Sequence, residues 1–166
     1  LVNVINEIYD SMLTEKMIEE IKALDNLYPD TRSQVMGALW VVQRARAWKL
    51  TKTDLEDIAA LLDISPVEIQ AAATFYTMYN VIEPMGRYHI QVCQNISCTL
   101  LGAENLIAHL EKVLGIKPGE TTADKKFSIT TVECLGSCGT APMMQINDDY
   151  YESLTPQKVD EILQNY

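Results

Sequence analysis

The chain is short of several things that most functions require. Four cysteines and two histidines are all that 166 residues contain. No apolar run approaches the length needed to cross a bilayer, and no basic stretch followed by an apolar one marks a secretory signal. The sequence begins at Leu1 rather than a methionine, which leaves open a targeting segment upstream. Neither G-x-G-x-x-G nor GK[ST] occurs, so the chain by itself is expected to bind no dinucleotide or nucleoside triphosphate. Positive charge is scarce: 13 Lys+Arg stand against 23 Asp+Glu, a net charge of −10. Both halves share the imbalance, with 13 acidic and 7 basic residues in 1–85 and 10 and 6 in 86–166. Neither half attracts a phosphate backbone or an anionic membrane surface, whereas a locally basic partner surface would be favoured. No internal repeat or low-complexity tract is present. With 48% apolar and 22% charged residues, the composition is that of a soluble globular protein of one domain or two small ones.

Helical periodicity dominates the first half. Val35, Ala38, Leu39 and Val42 share one face, as do Met17, Ile18, Ile21 and Leu24. Helices are expected near 14–26, 31–47, 53–63 and 66–79, with another at 2–12. A capping box from Thr53 to Glu56 and a second from Ser65 to Glu68, with Pro66 at the first helical position, start two of them. Phe75 and Tyr76 in "TFYTMY" read as core residues, with anchoring of a partner as the alternative. The period changes after Gly86. Tyr88, Ile90 and Val92 alternate with polar residues as in a strand, residues 103–114 form an amphipathic helix, and "FSITTVEC" is a second strand. "PMMQINDDYYESL" reads as a hairpin with Asp148 and Asp149 at its tip, and Thr155 with Pro156 opens a closing helix. The fold class is therefore α+β: an N-terminal helical bundle over 1–85, then a β-α-β-β-β-α domain over 86–166, close to a minimal thioredoxin-like plan.

All four cysteines lie in "HIQVCQNISCTLLG" and "VECLGSCGTAPMMQIND". Each pair begins at the end of an expected strand and continues into the following loop, so neighbouring strands would bring four sulfurs towards one point. Disulfides, inert core cysteines, a zinc site and an iron–sulfur cluster all remain open on spacing alone. A thioredoxin-type redox switch does not, because neither pair is C-x-x-C. Gly136 and Gly139 would let backbone N–H groups approach sulfur, or would serve an ordinary turn. Ser97, Thr99, Ser137 and Thr140 offer small hydroxyls, and the helix after Cys98 could aim its N-terminus at the site. His89 and His109 read as packing or surface residues rather than ligands. Pro142 is expected to be trans, since only about 5% of X–Pro bonds are cis.

"HIQVCQNISCTLLGAENL", "ECLGSCGTAPMMQIND" and "ATFYTMYN" resemble the thioredoxin-like 2Fe–2S subunit of respiratory complex I, the NADH:quinone oxidoreductase. Related subunits serve NAD-linked hydrogenases and formate dehydrogenases. The resemblance runs from about residue 29 to the C-terminus. It implies that Cys93, Cys98, Cys134 and Cys138 ligate one 2Fe–2S cluster, that no complete active site lies in this chain, and that FMN and NADH bind a partner subunit. It further implies neighbouring iron–sulfur subunits of a peripheral arm. The place implied is the cytoplasmic (or mitochondrial matrix) face of the respiratory membrane, without insertion into it. An all-thiolate site of this kind works at low potential, about −400 mV in plant-type ferredoxins. "APMMQINDDYYESLT" resembles the complex I branch more than the hydrogenase branch. One departure is Ala47-Trp48-Lys49, where the family often has glycine before an aromatic and an aliphatic residue. Two rivals stand beside this reading: a zinc-stapled adaptor, and a helix-turn-helix DNA-binding metal sensor built on residues 53–79. The second would need a recognition helix that carries no Lys or Arg.

Overall fold

In the computed structural model, which describes residues 13–81 and 85–166, the chain divides into two compact units, Leu1–Glu83 and Pro84–Tyr166. The first unit is helical. Its elements are α1 (Glu15–Ala23), α2 (Val35–Ala45), α3 (Lys52–Leu62) and α4 (Pro66–Phe75), with 3₁₀ turns at Leu24–Asn26 and Thr31–Gln34. The helix expected at 2–12 lies outside the described residues. Ile21, Leu39, Ile58 and Ile69 are fully buried in one core, each stabilising the unit by about 1.5–3 kcal/mol relative to an exposed side chain.

Polar side chains fix the connections. The Gln43 side chain is completely buried, donating to the Met78 carbonyl at 3.0 Å and accepting from the Asn80 N–H at 2.6 Å. It ties α2 to the segment after α4. The capping box of α3 is Thr51 with Asp54, two residues ahead of the expected Thr53 and Glu56. Asp54 prevails because its buried carboxylate also meets Arg46 Nε at 3.2 Å. Ser65 does precede α4 with Pro66 at the first position, but its side chain makes no cap and Glu68 pairs with Arg32. The helix expected to reach residue 79 stops at Phe75. Phe75 is left 78% exposed and Tyr76 39%, so neither is core, whereas Tyr79 is buried with its hydroxyl donating to the Met36 carbonyl at 2.9 Å. Ala47, where the family pattern has glycine, and Trp48 after it both have positive φ. Trp48 is held there by its N–H on the Gln43 carbonyl and its own carbonyl under Asn80 Nδ2.

The second unit contains β1 (Tyr88–Cys93), α5 (Ile96–Leu100), α6 (Ala103–Leu114), β2 (Phe127–Val132), β3 (Met144–Ile146), β4 (Asp149–Tyr151) and α7 (Pro156–Leu163). The sheet order is β2-β1-β3-β4. β1 and β2 are parallel, from Tyr88 opposite Phe127 to Cys93 opposite Val132. β3 is antiparallel to β1 and β4 to β3. This is the expected order with one added element, the single-turn helix α5. The hairpin tip is Asn147 and Asp148, one residue earlier than expected, because Asn147 takes positive φ and Ile146 pairs with Asp149. Thr155 caps α7 as expected, accepting from the Lys158 N–H.

β1 does not alternate inside and outside. His89 and Gln91 are nearly as buried as Ile90 and Val92, so both faces of this strand are covered. Asn147 Oδ1 accepts the His89 N–H, and the His89 ring Nε2 lies 2.7 Å from Thr130 Oγ1. Burial lowers the His89 pKa from 6.5 to about 4. The folded state therefore keeps this ring neutral while the unfolded chain protonates below 6.5. Stability that is complete above pH 6.5 is lost as pH falls towards 4, by up to about 3 kcal/mol. Urea unfolding between pH 7 and 4.5 should show this slope, and His89→Gln should flatten it; an unchanged slope in the variant would place the proton uptake elsewhere. The second histidine, His109 on α6, pairs with Asp160 of α7 at 2.7 Å.

Candidate metal centre

β1 and β2 are parallel neighbours, so both cysteine segments leave the same end of the sheet. Cys93 is the last residue of β1. Cys134 lies two residues beyond β2, with Glu133 between, and not at the strand end as expected. The Glu133 carbonyl sits 3.7 Å from Cys93 Sγ and joins the two segments. Cys98 is not in a loop: it is in α5, which Asn95 opens by accepting the Ile96 N–H at 2.7 Å. The longer helix α6 starts only at Ala103, so the helix N-terminus expected beside the site lies five residues beyond Cys98. Cys138 begins a 3₁₀ turn, Cys138–Thr140.

All four cysteines are free thiols, which removes the disulfide reading. They form an inner and an outer pair. Cys93 and Cys98 are buried, packed with Ala103 and Met143 and flanked by Leu135 and Ala141 from the downstream segment. Cys134 and Cys138 are exposed. Burial pushes the Cys98 thiol up to about 11; a hydrogen bond with Cys93 and the proximity of Cys93 and Cys138 act in the same direction, and a backbone bond from Met143 opposes them. The upstream pair thus feels the downstream one. Among the described residues, however, no three His, Cys, Asp or Glu side chains surround a point that could hold one metal ion, so the four sulfurs do not converge as closely as their spacing suggested.

This donor set fits a dinuclear cluster. A mononuclear zinc site needs four ligands around one ion, whereas a 2Fe–2S core spreads its four thiolates over two irons. Burial disfavours the Cys98 thiolate, which a cationic core would stabilise. Gly136 adds a donor aimed at sulfur: its N–H meets Cys134 Sγ at 3.3 Å, in a left-handed conformation with φ of 78°. Gly139 has an ordinary φ and plays no such part.

The hydroxyls are arranged differently from the expectation. Thr99 donates to the Gln94 carbonyl at 2.9 Å, and Ser137 and Thr140 both bond to the carboxylate of Glu152. These bonds hold the Glu152 carboxyl below the usual carboxylate range. Glu152 is the residue that sequence reasoning missed, since nothing in its neighbourhood marks it before the hairpin folds it against the cysteine loop. The peptide bond between Ala141 and Pro142 is cis, contrary to expectation.

Comparison with known proteins agrees with this chemistry. The family model described as thioredoxin-like [2Fe–2S] ferredoxin matches residues 4–166, reaching further towards the N-terminus than residue 29. The chain is 45% identical over 150 residues to an NADH-quinone oxidoreductase subunit of Rhizobium meliloti (strain 1021), covering 90% of this chain and 88% of the relative. It is 44% identical over 133 residues to NADH-quinone oxidoreductase subunit 2 of Thermus thermophilus, covering 80% and 72%. Among solved structures, an NAD+-reducing [NiFe]-hydrogenase in the H2-reduced state aligns with a TM-score of 0.67 at 27% identity over 78% of this chain; the match spans only 21% of the hydrogenase chain. The relatives are thus parts of multi-subunit oxidoreductases, and none of these likenesses points to a DNA-binding sensor or a zinc adaptor. Two cysteine segments set side by side by parallel strands, on a chain matched almost from end to end, place it in the thioredoxin-like [2Fe–2S] ferredoxin family.

Proposed function

We propose that this chain is the electron-transfer subunit of an NADH:quinone oxidoreductase. In this reading residues 1–85 form a helical domain and 86–166 hold one 2Fe–2S cluster on Cys93, Cys98, Cys134 and Cys138. The observation that carries it is the parallel register ending at Cys93 opposite Val132, which puts the buried cysteine pair beside the exposed one. A bound 2Fe–2S cluster takes up and releases one electron at a time. The residues of this chain confine that charge: Cys93 and Cys98 on the protein side, Cys134 and Cys138 towards solvent, and the Gly136 N–H on one sulfur.

The exposed side of the site suits a protein partner. Ile96, Leu100 and Leu101 are 71, 78 and 60% exposed beside Cys98, and Tyr150 is half exposed near Leu135. Apolar side chains gathered at the edge of a redox site support docking of the subunit that carries FMN and oxidises NADH, with further iron–sulfur subunits beyond. Phe75, exposed at the end of α4, is a second candidate contact. Among the described residues no helix is long and apolar enough to cross a membrane, in keeping with a peripheral place on the inner face of the respiratory membrane. The closer likeness to the quinone oxidoreductase subunits favours that complex over a hydrogenase or formate dehydrogenase. The test is anaerobic reduction of the cluster-loaded chain by NADH. Rapid reduction is expected only when the flavin-bearing subunit is added; reduction by NADH without it, or none with it, would refute the assignment.

A further inference from the structure

Glu152 follows β4, and its carboxylate accepts hydrogen bonds from Ser137 Oγ and, at 2.5 Å, from Thr140 Oγ1. Those hydroxyls stand on either side of Cys138 and lie 2.8 Å from each other. Two more ties run from the same segment to the same loop. The Tyr150 hydroxyl donates to the Leu135 carbonyl at 2.9 Å, and the Ser153 N–H donates to the Thr140 carbonyl at 2.6 Å. Within the loop itself the bonds are short-range turns, such as Thr140 N–H to the Ser137 carbonyl. The position of Cys138 is therefore set from outside the loop. The partners of Glu152 are neutral hydroxyls, which hold the carboxylate without cancelling its charge.

We infer that Glu152 is the positioning residue of the 134–140 loop and an electrostatic determinant of the site's reduction potential. It holds Cys138 in place through Ser137 and Thr140, and its negative charge disfavours an added electron nearby. The inference rests on the ligand reading given under Proposed function. Placement and charge are separable, because a neutral amide can still accept both hydroxyl bonds. A nearby negative charge acts on the more negative, reduced state more strongly than on the oxidised one.

The experiment uses the full chain, cluster-loaded, in three variants: Glu152→Gln, Glu152→Ala and Tyr150→Phe. Three quantities are read: the potential by EPR-monitored titration, the rate of iron loss to a chelator, and amide exchange over residues 137–140. Glu152 is solvent-exposed, so the effect is screened: Glu152→Gln should lose iron within about twofold of the unaltered chain while its reduction equilibrium shifts about twofold to threefold towards the reduced form; twofold corresponds to about 18 mV for one electron. Glu152→Ala should show the same upward shift, with iron loss at least about tenfold faster and faster exchange at Gly139 and Thr140. Tyr150→Phe, which loosens the loop without touching the charge, should speed iron loss and leave the potential where it was. An unshifted potential in Glu152→Gln would overturn the electrostatic role. Unchanged iron loss and exchange in Glu152→Ala would overturn the positioning role. If the unaltered chain takes up no cluster, the ligand reading fails instead, and the exchange comparison still decides the positioning role.

Discussion

Replacing Cys98 by alanine is expected to abolish the 2Fe–2S absorption and EPR signals and to reduce bound iron from about two per chain to near zero. On the proposed ligand set three cysteines would leave one iron short of a ligand, and among the described residues neither histidine stands ready to replace it. His89 is remote along β1 and bonded to Thr130, and His109 is paired with Asp160. Cys134→Ala should give the same spectroscopic loss, but the two variants should differ in stability. Cys98 is 1% exposed and packs against Cys93, Ala103 and Met143. Its truncation leaves a small cavity and costs the cluster-free fold about 1 kcal/mol. Cys134 is exposed, and its removal should change that fold by less than about 0.5 kcal/mol. Iron analysis and urea unfolding of the two variants check both halves of the statement. A Cys98→Ala protein with a full complement of iron would remove that residue from the ligand set.

The second large effect concerns docking. Leu100 is 78% exposed on α5, two residues beyond Cys98. Leu100→Glu should leave the cluster spectrum intact, since the side chain faces solvent, yet weaken association with the flavin-bearing subunit. A charge placed at the apolar centre of an interface costs about 2 kcal/mol or more, roughly thirtyfold in affinity. With the partner below saturation, NADH-driven reduction of the cluster should slow by about that factor and recover as the partner concentration rises. Unchanged kinetics at low partner concentration would move the docking face away from α5.

The strand and helix order of the second unit was legible because each element there carries its own local signal. Residues 103–114 keep one apolar stripe, Thr155 and Pro156 mark the start of α7, and Cys93 closes β1 while Cys134 follows β2 by two residues. What remained hidden depended on long-range partners. Thr51 rather than Thr53 caps α3 because Asp54, buried against Arg46, outcompetes Glu56. His89 read as a packing or surface residue, and only the folded sheet shows it buried with its ring on Thr130. Phe75 and Tyr76 fell outside the core because α4 ends one turn early. At the site, the cysteine pattern named the sulfurs, but the hydroxyls beside them were drawn to Glu152, a carboxylate 12 residues beyond Thr140 in the chain.

What the four sulfurs hold decides the assignment. Anaerobic purification followed by iron, acid-labile sulfide and zinc analysis of the unaltered chain addresses this directly, with EPR of the dithionite-reduced protein. The expected result is a coloured protein with about two irons and two sulfides per chain, and an S = 1/2 signal that appears on one-electron reduction. A colourless protein with about one zinc per chain and no sulfide would contradict it.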